Sequence, residues 1–310
     1  MVRIYSDPRC LAHVSPPGFP ETPERLSTVV DGLRSAGFQI QEAGAHRSRE
    51  TAIQEIHDSR YVSRFEESVR RGEDFLDSGD NPICENTWEA ASAAVDAALH
   101  AADHVSSVAG NKAMAAIRPP GHHAERGMAM GFCYFNNVAI AADYLIRSAG
   151  VERVAIVDFD VHHGNGTQHI FEQRQDVLYV SSHRHPFYPG TGLADEQGRG
   201  DGIGATVNVP LPAGSGDEVH TSAYREIILP SLRKFSPDIL LISAGFDSWI
   251  NDPLGGMKVT ETGFRDWGSW LGGIAEQFCE GRVLVVLEGG YDVASLPSLV
   301  KASLEGLTGG

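Results

Sequence analysis

"RVAIVDFDVHHGNGTQH", Arg153 to His169, joins an apolar run directly to a cluster of titrating side chains. In "VAIV" apolar residues stand at consecutive positions, as a strand covered on both faces of a sheet requires. From Val157 to His169 the chain then carries two aspartates, three histidines and two glycines. A polar loop that happens to be rich in histidine would account for the composition. A metal site at the end of a buried strand would also account for the order.

Further runs read the same way. Candidate buried strands are "AMAAI" (113–117), "RVAIVDF" (153–159), "VLYVSS" (177–182), "DILLISAG" (238–245) and "RVLVVLEGG" (282–290). Helices fit between them. In "TPERLSTVVDGLRSAG", Thr22 can cap, Pro23 takes the first helical position and Gly37 ends the helix. "NTWEAASAAVDAALHAADHVSSVAG" shows an apolar face at Trp88, Ala91, Val95, Leu99, Ala102 and Val105, with Gly110 as the stop. Other helices run from about 137 to 148, 219 to 234 and 260 to 279. The pattern predicts an α/β protein with a mostly parallel sheet, in one domain over residues 1–310. No repeat, low-complexity tract or linker divides it.

Composition excludes some functions. The chain has 25 Lys and Arg against 41 Asp and Glu, a net charge of −16, with no basic cluster, which disfavours direct nucleic-acid binding. Cys10, Cys84, Cys133 and Cys279 stand apart with no CxxC pair, as free thiols of a reducing compartment would. "MVRIYSDPRC" meets Asp7 and Pro8 too early for a signal-peptide core, and no run reaches membrane-spanning length. The expectation is a cytoplasmic protein without membrane contact, with homo-oligomerisation left open.

In parallel sheets, ligands bind outside the carboxyl ends of the strands. After 113–117 comes "RPPGHHAERG", with His122 and His123. The opening stretch supplies Asp158, Asp160 and His162, "GFDS" supplies Asp247, and "EGGYD" supplies Tyr291. Alone, each has an ordinary reading: an aspartate after a strand is commonly a turn former, and a tyrosine commonly packs. Four polar strand ends at one edge of one sheet point instead to a catalytic site.

The residue types suit a metal. Side chains alternate along an extended segment, so Asp158, Asp160 and His162 project to one side. Two neighbouring members of that series can curl onto one ion while a third supports them. Asp160, His162 and Asp247 would give a two-carboxylate, one-imidazole set, neutral overall with a divalent ion and open for water and substrate. Zinc is the default, and the oxygen-rich set also tolerates iron(II) or cobalt.

"RPPGHHA", "GFCYFNN", "DFDVHHGNGTQ", "AGFD" and "EGGY" resemble the histone deacetylase family in order and spacing, from "TPERL" almost to the end of the chain. The likeness is to its class II and bacterial amidohydrolase-like branch. It implies the three-layer α/β/α arginase–deacetylase fold and one zinc ion on Asp160, His162 and Asp247. His122 would pair with Asp158, and His123 with Asn165. A structural potassium ion is implied on the backbone carbonyls of Asp158, Asp160 and His162, with Ser181.

The reaction so implied is metal-assisted amide hydrolysis without a covalent intermediate. His123 would be general base and then general acid, His122 an electrostatic partner, and Tyr291 an oxyanion donor. No Gly-x-Ser-x-Gly elbow is present, and Cys133 reads as a small buried residue. Asn165 stands where class I members carry aspartate and class II members asparagine. A neutral partner stabilises a His123 cation less. Some animal class II members that are poor deacetylases have histidine at the Tyr291 position.

The resemblance also places Phe132 and Tyr188 as aromatic walls around an aliphatic stem, and the Gly131 carbonyl as acceptor for the substrate amide. Asp80 aligns loosely with a rim aspartate, and a solvated turn explains it equally well. Leu254, seven residues after Asp247, falls at the tunnel mouth, where the polyamine-selective member has glutamate. The substrate expected is an acyl-lysine peptide, a protein or a small acyl-amine. Acetylpolyamine hydrolysis is the alternative, and a non-catalytic acyl-ligand binder a distant one.

Overall fold

The computed structural model describes residues 2–309. Its strands are β1 (Val2–Ser6), β2 (Ile40–Glu42), β3 (Lys112–Ala115), β4 (Val154–Asp158), β5 (Val177–Arg184), β6 (Thr206–Leu211), β7 (Ile239–Ala244) and β8 (Val283–Leu287). They form one all-parallel sheet in the order β2-β1-β3-β8-β7-β4-β5-β6. The five strands read from the sequence are all present, each within a few residues of its expected limits. In β3, β4, β7 and β8 every residue is buried, the physical origin of their unbroken apolar runs.

Three strands were not anticipated, and all lie away from the sheet centre. β2 spans three residues and is mostly exposed, so it has no apolar signature. β6, "TVNVPL", contains Pro210, which an edge strand tolerates because one side of its backbone forms no ladder. β1 lies one strand inside the β2 edge.

The helices are α1 (Pro23–Ser35), α2 (Arg49–Ile56), α3 (Ser59–Arg71), α4 (Thr87–Ser107), α5 (Asn137–Ala149), α6 (Asn165–Phe171), α7 (Asp217–Ala223), α8 (Leu229–Phe235), α9 (Glu261–Phe278) and α10 (Leu296–Thr308). They flank the sheet as α/β/α layers, with α4 and α5 packed together and α1, α10 and α9 in sequence. α4 is buried on most of its circumference, not only on the expected stripe. Gly268 and Gly306 let α9 and α10 approach: a Cβ on either would collide with backbone of the other helix. The helix expected over 219–234 is α7 and α8 joined by a π-helical turn, Tyr224–Ile228.

Two local expectations fail. Thr22 is the N-cap residue of α1 but its side chain makes no cap bond. "NGTQH", taken as part of a polar loop, is the first part of α6, and this places Asn165 and His169 one helical turn apart.

The topology builds the site. β4 crosses the sheet and leaves a space that β7 and β8 later fill, so β3, β8, β7 and β4 become adjacent central strands. Their carboxyl ends lead to His122 and His123, Tyr291, Asp247, and the Asp158–His162 segment respectively.

Candidate active site

Asp158 ends β4 in register with Ser243 on β7 and Ser181 on β5. Beyond it the chain folds back on its own carboxylates. Asp160 N–H donates to Asp158 Oδ1 at 3.1 Å, and His162 N–H to Asp160 Oδ1 at 2.9 Å. Val161 N–H donates to Asp247 Oδ1 at 2.8 Å, tying this loop to the one after β7. Gly289 N–H, after β8, donates to Asp160 Oδ2 at 2.9 Å. Gly289 must lack a side chain, because a Cβ there would collide with the Asp160 and Asp247 carboxylates.

His162 Nδ1 lies 3.0 Å from Asp160 Oδ1 and 3.1 Å from Asp247 Oδ2. Donor atoms of Asp160, His162 and Asp247 all fall within 4.8 Å of one another. Asp247 Oδ2 is buried and accepts no hydrogen bond, an orphan carboxylate oxygen aimed at an imidazole nitrogen. Burial opposes a charged His162, but Asp160 and Asp247 outweigh it and raise its pKa to about 9. Burial and then Asp160 raise the pKa of Asp247 to about 7. Crowded negative charge contributes to both shifts, and a divalent cation bound by this set would relieve it.

His46, His100 and Asp103 form a second three-donor group. His46 is already satisfied there, since Ser48 N–H donates to its Nδ1 at 3.2 Å and its Nε2 meets Asp103 Oδ2 at 3.0 Å. Its bonds at His46 are structural, while His100 Nε2 is buried without a hydrogen-bond partner.

The two adjacent histidines differ in their partners. His122 Nδ1 lies 3.0 Å from Asp158 Oδ2, which also accepts from the Tyr179 hydroxyl at 3.0 Å. Burial disfavours its cation, yet Asp158 and Asp160 lift the pKa to about 10. His123 Nδ1 meets only the neutral Asn165 Oδ1, at 2.8 Å. Burial, followed by repulsion from His122 and His162, drives its pKa well below the usual histidine range. One imidazole is thus held charged and its neighbour neutral, 4.0 Å apart between ring centres.

A cavity of about 180 Å³ opens above this group, lined by Asp80, His123, Gly131, Phe132, His162, Tyr188, Leu254 and Tyr291. The chain turns through positive φ at Gly131 (56°) and Phe132 (66°), and a Cβ on Gly131 would collide with the His123 ring. Phe132 packs edge-on to Tyr291, and Tyr188 stands at 90° to the His123 ring. Asp80 reaches the cavity and is held by both oxygens: its Oδ2 accepts from Gly131 N–H at 3.1 Å and the Tyr188 hydroxyl at 2.9 Å, and its Oδ1 from the Ser78 hydroxyl. The Gly131 carbonyl receives a contact from Cys133 Sγ at 3.3 Å. Burial and the Asp247 charge keep the Tyr291 phenol protonated, with its pKa well above normal.

Residues 19–307 match the histone deacetylase domain. The chain belongs to the histone deacetylase family. It is 40% identical to a probable deacetylase of Archaeoglobus fulgidus, over 91% of this chain and 79% of that one. The crystal structure of the HDA15 HD domain superposes with a TM-score of 0.93 at 38% identity, covering 99% of this chain and 89% of that one. An acetylpolyamine aminohydrolase from Burkholderia pseudomallei gives 0.90 at 35% identity, covering 99% and 98%. Membership assigns the chain to the deacetylases and related amidohydrolases, on the three-layer fold.

Several residues that support this candidate site were not singled out from the sequence, although Arg25 lies in "TPERL" and Glu288 in "EGGY". Asp252 Oδ2 accepts Tyr291 N–H at 2.7 Å while its Oδ1 accepts the N–H groups of Leu254 and Gly255. This one carboxylate therefore positions both the tyrosine and the rim. In the sequence Asp252 is only the aspartate of an Asp-Pro pair two residues before Leu254, the pattern of an ordinary turn. Buried Arg25 donates to the Gly290 and Glu288 carbonyls, at 2.6 and 2.5 Å, and lies 4.9 Å from the Tyr291 ring centre. Glu288 accepts from Gly121 N–H and the Ser243 hydroxyl, locking the ends of β3, β7 and β8 together. Phe187 stacks on His162.

Proposed function

We propose that this chain is a zinc-dependent amidohydrolase that removes acetyl or other acyl groups from lysine-like amines. The observation that carries the reading is the orphan Asp247 Oδ2 beside His162 and Asp160, placed under a cavity walled by His123 and Tyr291. Asp160, His162 and Asp247 would hold the ion. Zinc there would supply Lewis acidity, polarising an acyl carbonyl and lowering the pKa of water. A potassium ion on the carbonyls of Asp158, Asp160 and His162 belongs to the same proposal, with Ser181 opposite Asp158 in the sheet.

The remaining chemistry falls to the protein's own side chains. With Nδ1–H directed to Asn165, His123 keeps Nε2 free to take a proton from the attacking water and return it to the departing amine. Its lowered pKa keeps it in the basic form. His122, held charged by Asp158, supplies fixed positive potential next to the developing negative charge. The Tyr291 hydroxyl donates to the carbonyl oxygen as it gains charge. Phe132 and Tyr188 offer two aromatic faces to an aliphatic stem.

Leu254 favours acyl-lysine over acetylpolyamine. At the Leu254 position the rim offers apolar contact and no carboxylate to pair with a remote ammonium, while Asp80, elsewhere on the rim, is held in place by Tyr188 and Gly131. Among the described residues no helix is long and apolar enough to cross a membrane; the proposal keeps the cytoplasmic setting read from the spaced, free cysteines. The deciding experiment is an activity panel of acyl-lysine peptides and acetylpolyamines, with and without a chelator. Hydrolysis that survives complete metal removal would defeat the reading.

A further inference from the structure

The Asn165 side chain faces two ways. Its Oδ1 meets His123 Nδ1 at 2.8 Å, and its Nδ2 donates to Glu125 Oε1 at 2.5 Å. Weaker contacts run from the same Nδ2 to the His123 carbonyl at 3.3 Å and Met130 Sδ at 3.5 Å. Glu125 Oε1 also meets His169 Nδ1 at 2.8 Å. Asn165 and His169 are one turn apart on α6, so both reach the same carboxylate oxygen from one helix face.

Glu125 is itself fixed. Its N–H donates to the Met128 carbonyl, and its own carbonyl lies 2.9 Å from Nδ1 of the buried His57. Its side chain is 20% exposed, against 39% for His169. A surface ion pair of Glu125 with His169 would not require the carboxylate to point inward at an amide, yet it does.

An amide can present either its oxygen or its nitrogen to an imidazole, and which one it presents sets the imidazole tautomer. A carboxylate accepts only. With Glu125 against one end of Asn165, that end must be the NH₂, and the oxygen must face His123. His123 then carries its proton on Nδ1, and its Nε2 lone pair is left for the cavity. The charge-assisted bond also polarises the amide, so that a neutral asparagine becomes a stronger acceptor for His123.

We propose that Glu125 is a positioning residue for the hydrolysis. It acts through Asn165 to fix the tautomer and orientation of His123. The proposal deepens the amidohydrolase reading and rests on it for the word hydrolysis, though not for the wiring.

Two independent readouts test it. The first is ¹⁵N NMR of the imidazole of His123, assigned by loss of the signal in His123→Ala. The Nδ1–H form should dominate in the unaltered protein, and Glu125→Ala should introduce the Nε2–H form. An unchanged tautomer ratio in Glu125→Ala overturns the proposal, whether or not any substrate is turned over. The second is kinetic. Glu125→Ala should lower kcat by about tenfold, with KM and bound metal unchanged, and Glu125→Gln by less, because its carbonyl can still accept from Asn165. Asn165→Asp should be impaired because it sets two carboxylates against each other. Adding Glu125→Gln to Asn165→Asp restores a donor–acceptor pair and should recover kcat. A double variant no faster than Asn165→Asp alone overturns the proposal. A protein inactive on every substrate defeats the hydrolase reading, while the tautomer measurement still decides the role of Glu125.

Discussion

Asp247 Oδ2 lies 3.1 Å from His162 Nδ1, and although buried it accepts no hydrogen bond from the chain. A buried carboxylate oxygen without a donor is costly unless a cation satisfies it. We therefore expect Asp160→Ala, His162→Ala and Asp247→Ala each to abolish stoichiometric zinc, measured by elemental analysis, together with hydrolysis. Zinc retained at one equivalent in all three variants would refute the ligand assignment.

Tyr291 is held by its backbone to Asp252 and by its ring to Phe132 and Arg25, so removing the hydroxyl should leave its position unchanged. Tyr291→Phe should reduce kcat on the order of 10²-fold, as loss of an oxyanion donor does, with zinc content and melting temperature unaltered. Wild-type turnover in this variant would remove Tyr291 from the mechanism.

Leu254 is turned toward the cavity by the bonds of Asp252 to the Leu254 and Gly255 N–H groups. The unaltered enzyme should prefer acyl-lysine peptides to acetylspermidine in kcat/KM. Leu254→Glu should move that ratio toward acetylspermidine by roughly fivefold, the size of a partly screened ion pair. The comparison belongs near physiological ionic strength, since a chain of net charge −16 attracts polycations at low salt. A higher kcat/KM on acetylspermidine than on every peptide tested would replace the lysine reading with the polyamine one.

His57 gives the protein a predictable acid sensitivity. Burial lowers its pKa from 6.5 to about 4, and its Nε2 accepts the Asn136 N–H at the start of α5. A histidine with a depressed folded pKa binds its proton more tightly when unfolded. Its stabilising effect is therefore complete above pH 6.5 and is lost as pH falls towards 4. The His57 share of the loss should approach about 3 kcal/mol, read as the difference in urea dependence between the unaltered protein and His57→Asn across those limits, because burial lowers the pKa of His163, His183 and His220 as well. His57→Asn should be less stable at pH 8 and show a flatter decline. An unchanged slope in the variant would assign the acid sensitivity elsewhere.

The parts of this protein legible in its sequence are those where one short segment carries the whole physical requirement. Runs such as "VAIVD" and "ILLISA" are apolar throughout because both faces are covered, and that marks central parallel strands without further context. The ligand-like residues stood out because strand ends are where a parallel sheet opens, and the order of the motifs carried the resemblance to the histone deacetylases. β2 and β6 left little trace because edge strands need neither length nor an unbroken apolar pattern.

Tertiary structure alone decided what each polar group meets. That Asp252 grips Tyr291, that Arg25 holds the Gly290 carbonyl, and that Glu125 completes the Asn165 amide are contacts between segments 39, 265 and 40 residues apart. Sequence spacing gives no measure of such distances. A carboxylate in a turn looks the same whether it faces water or a buried N–H, and only the packing of β3, β8, β7 and β4 side by side brings these loops within hydrogen-bonding range.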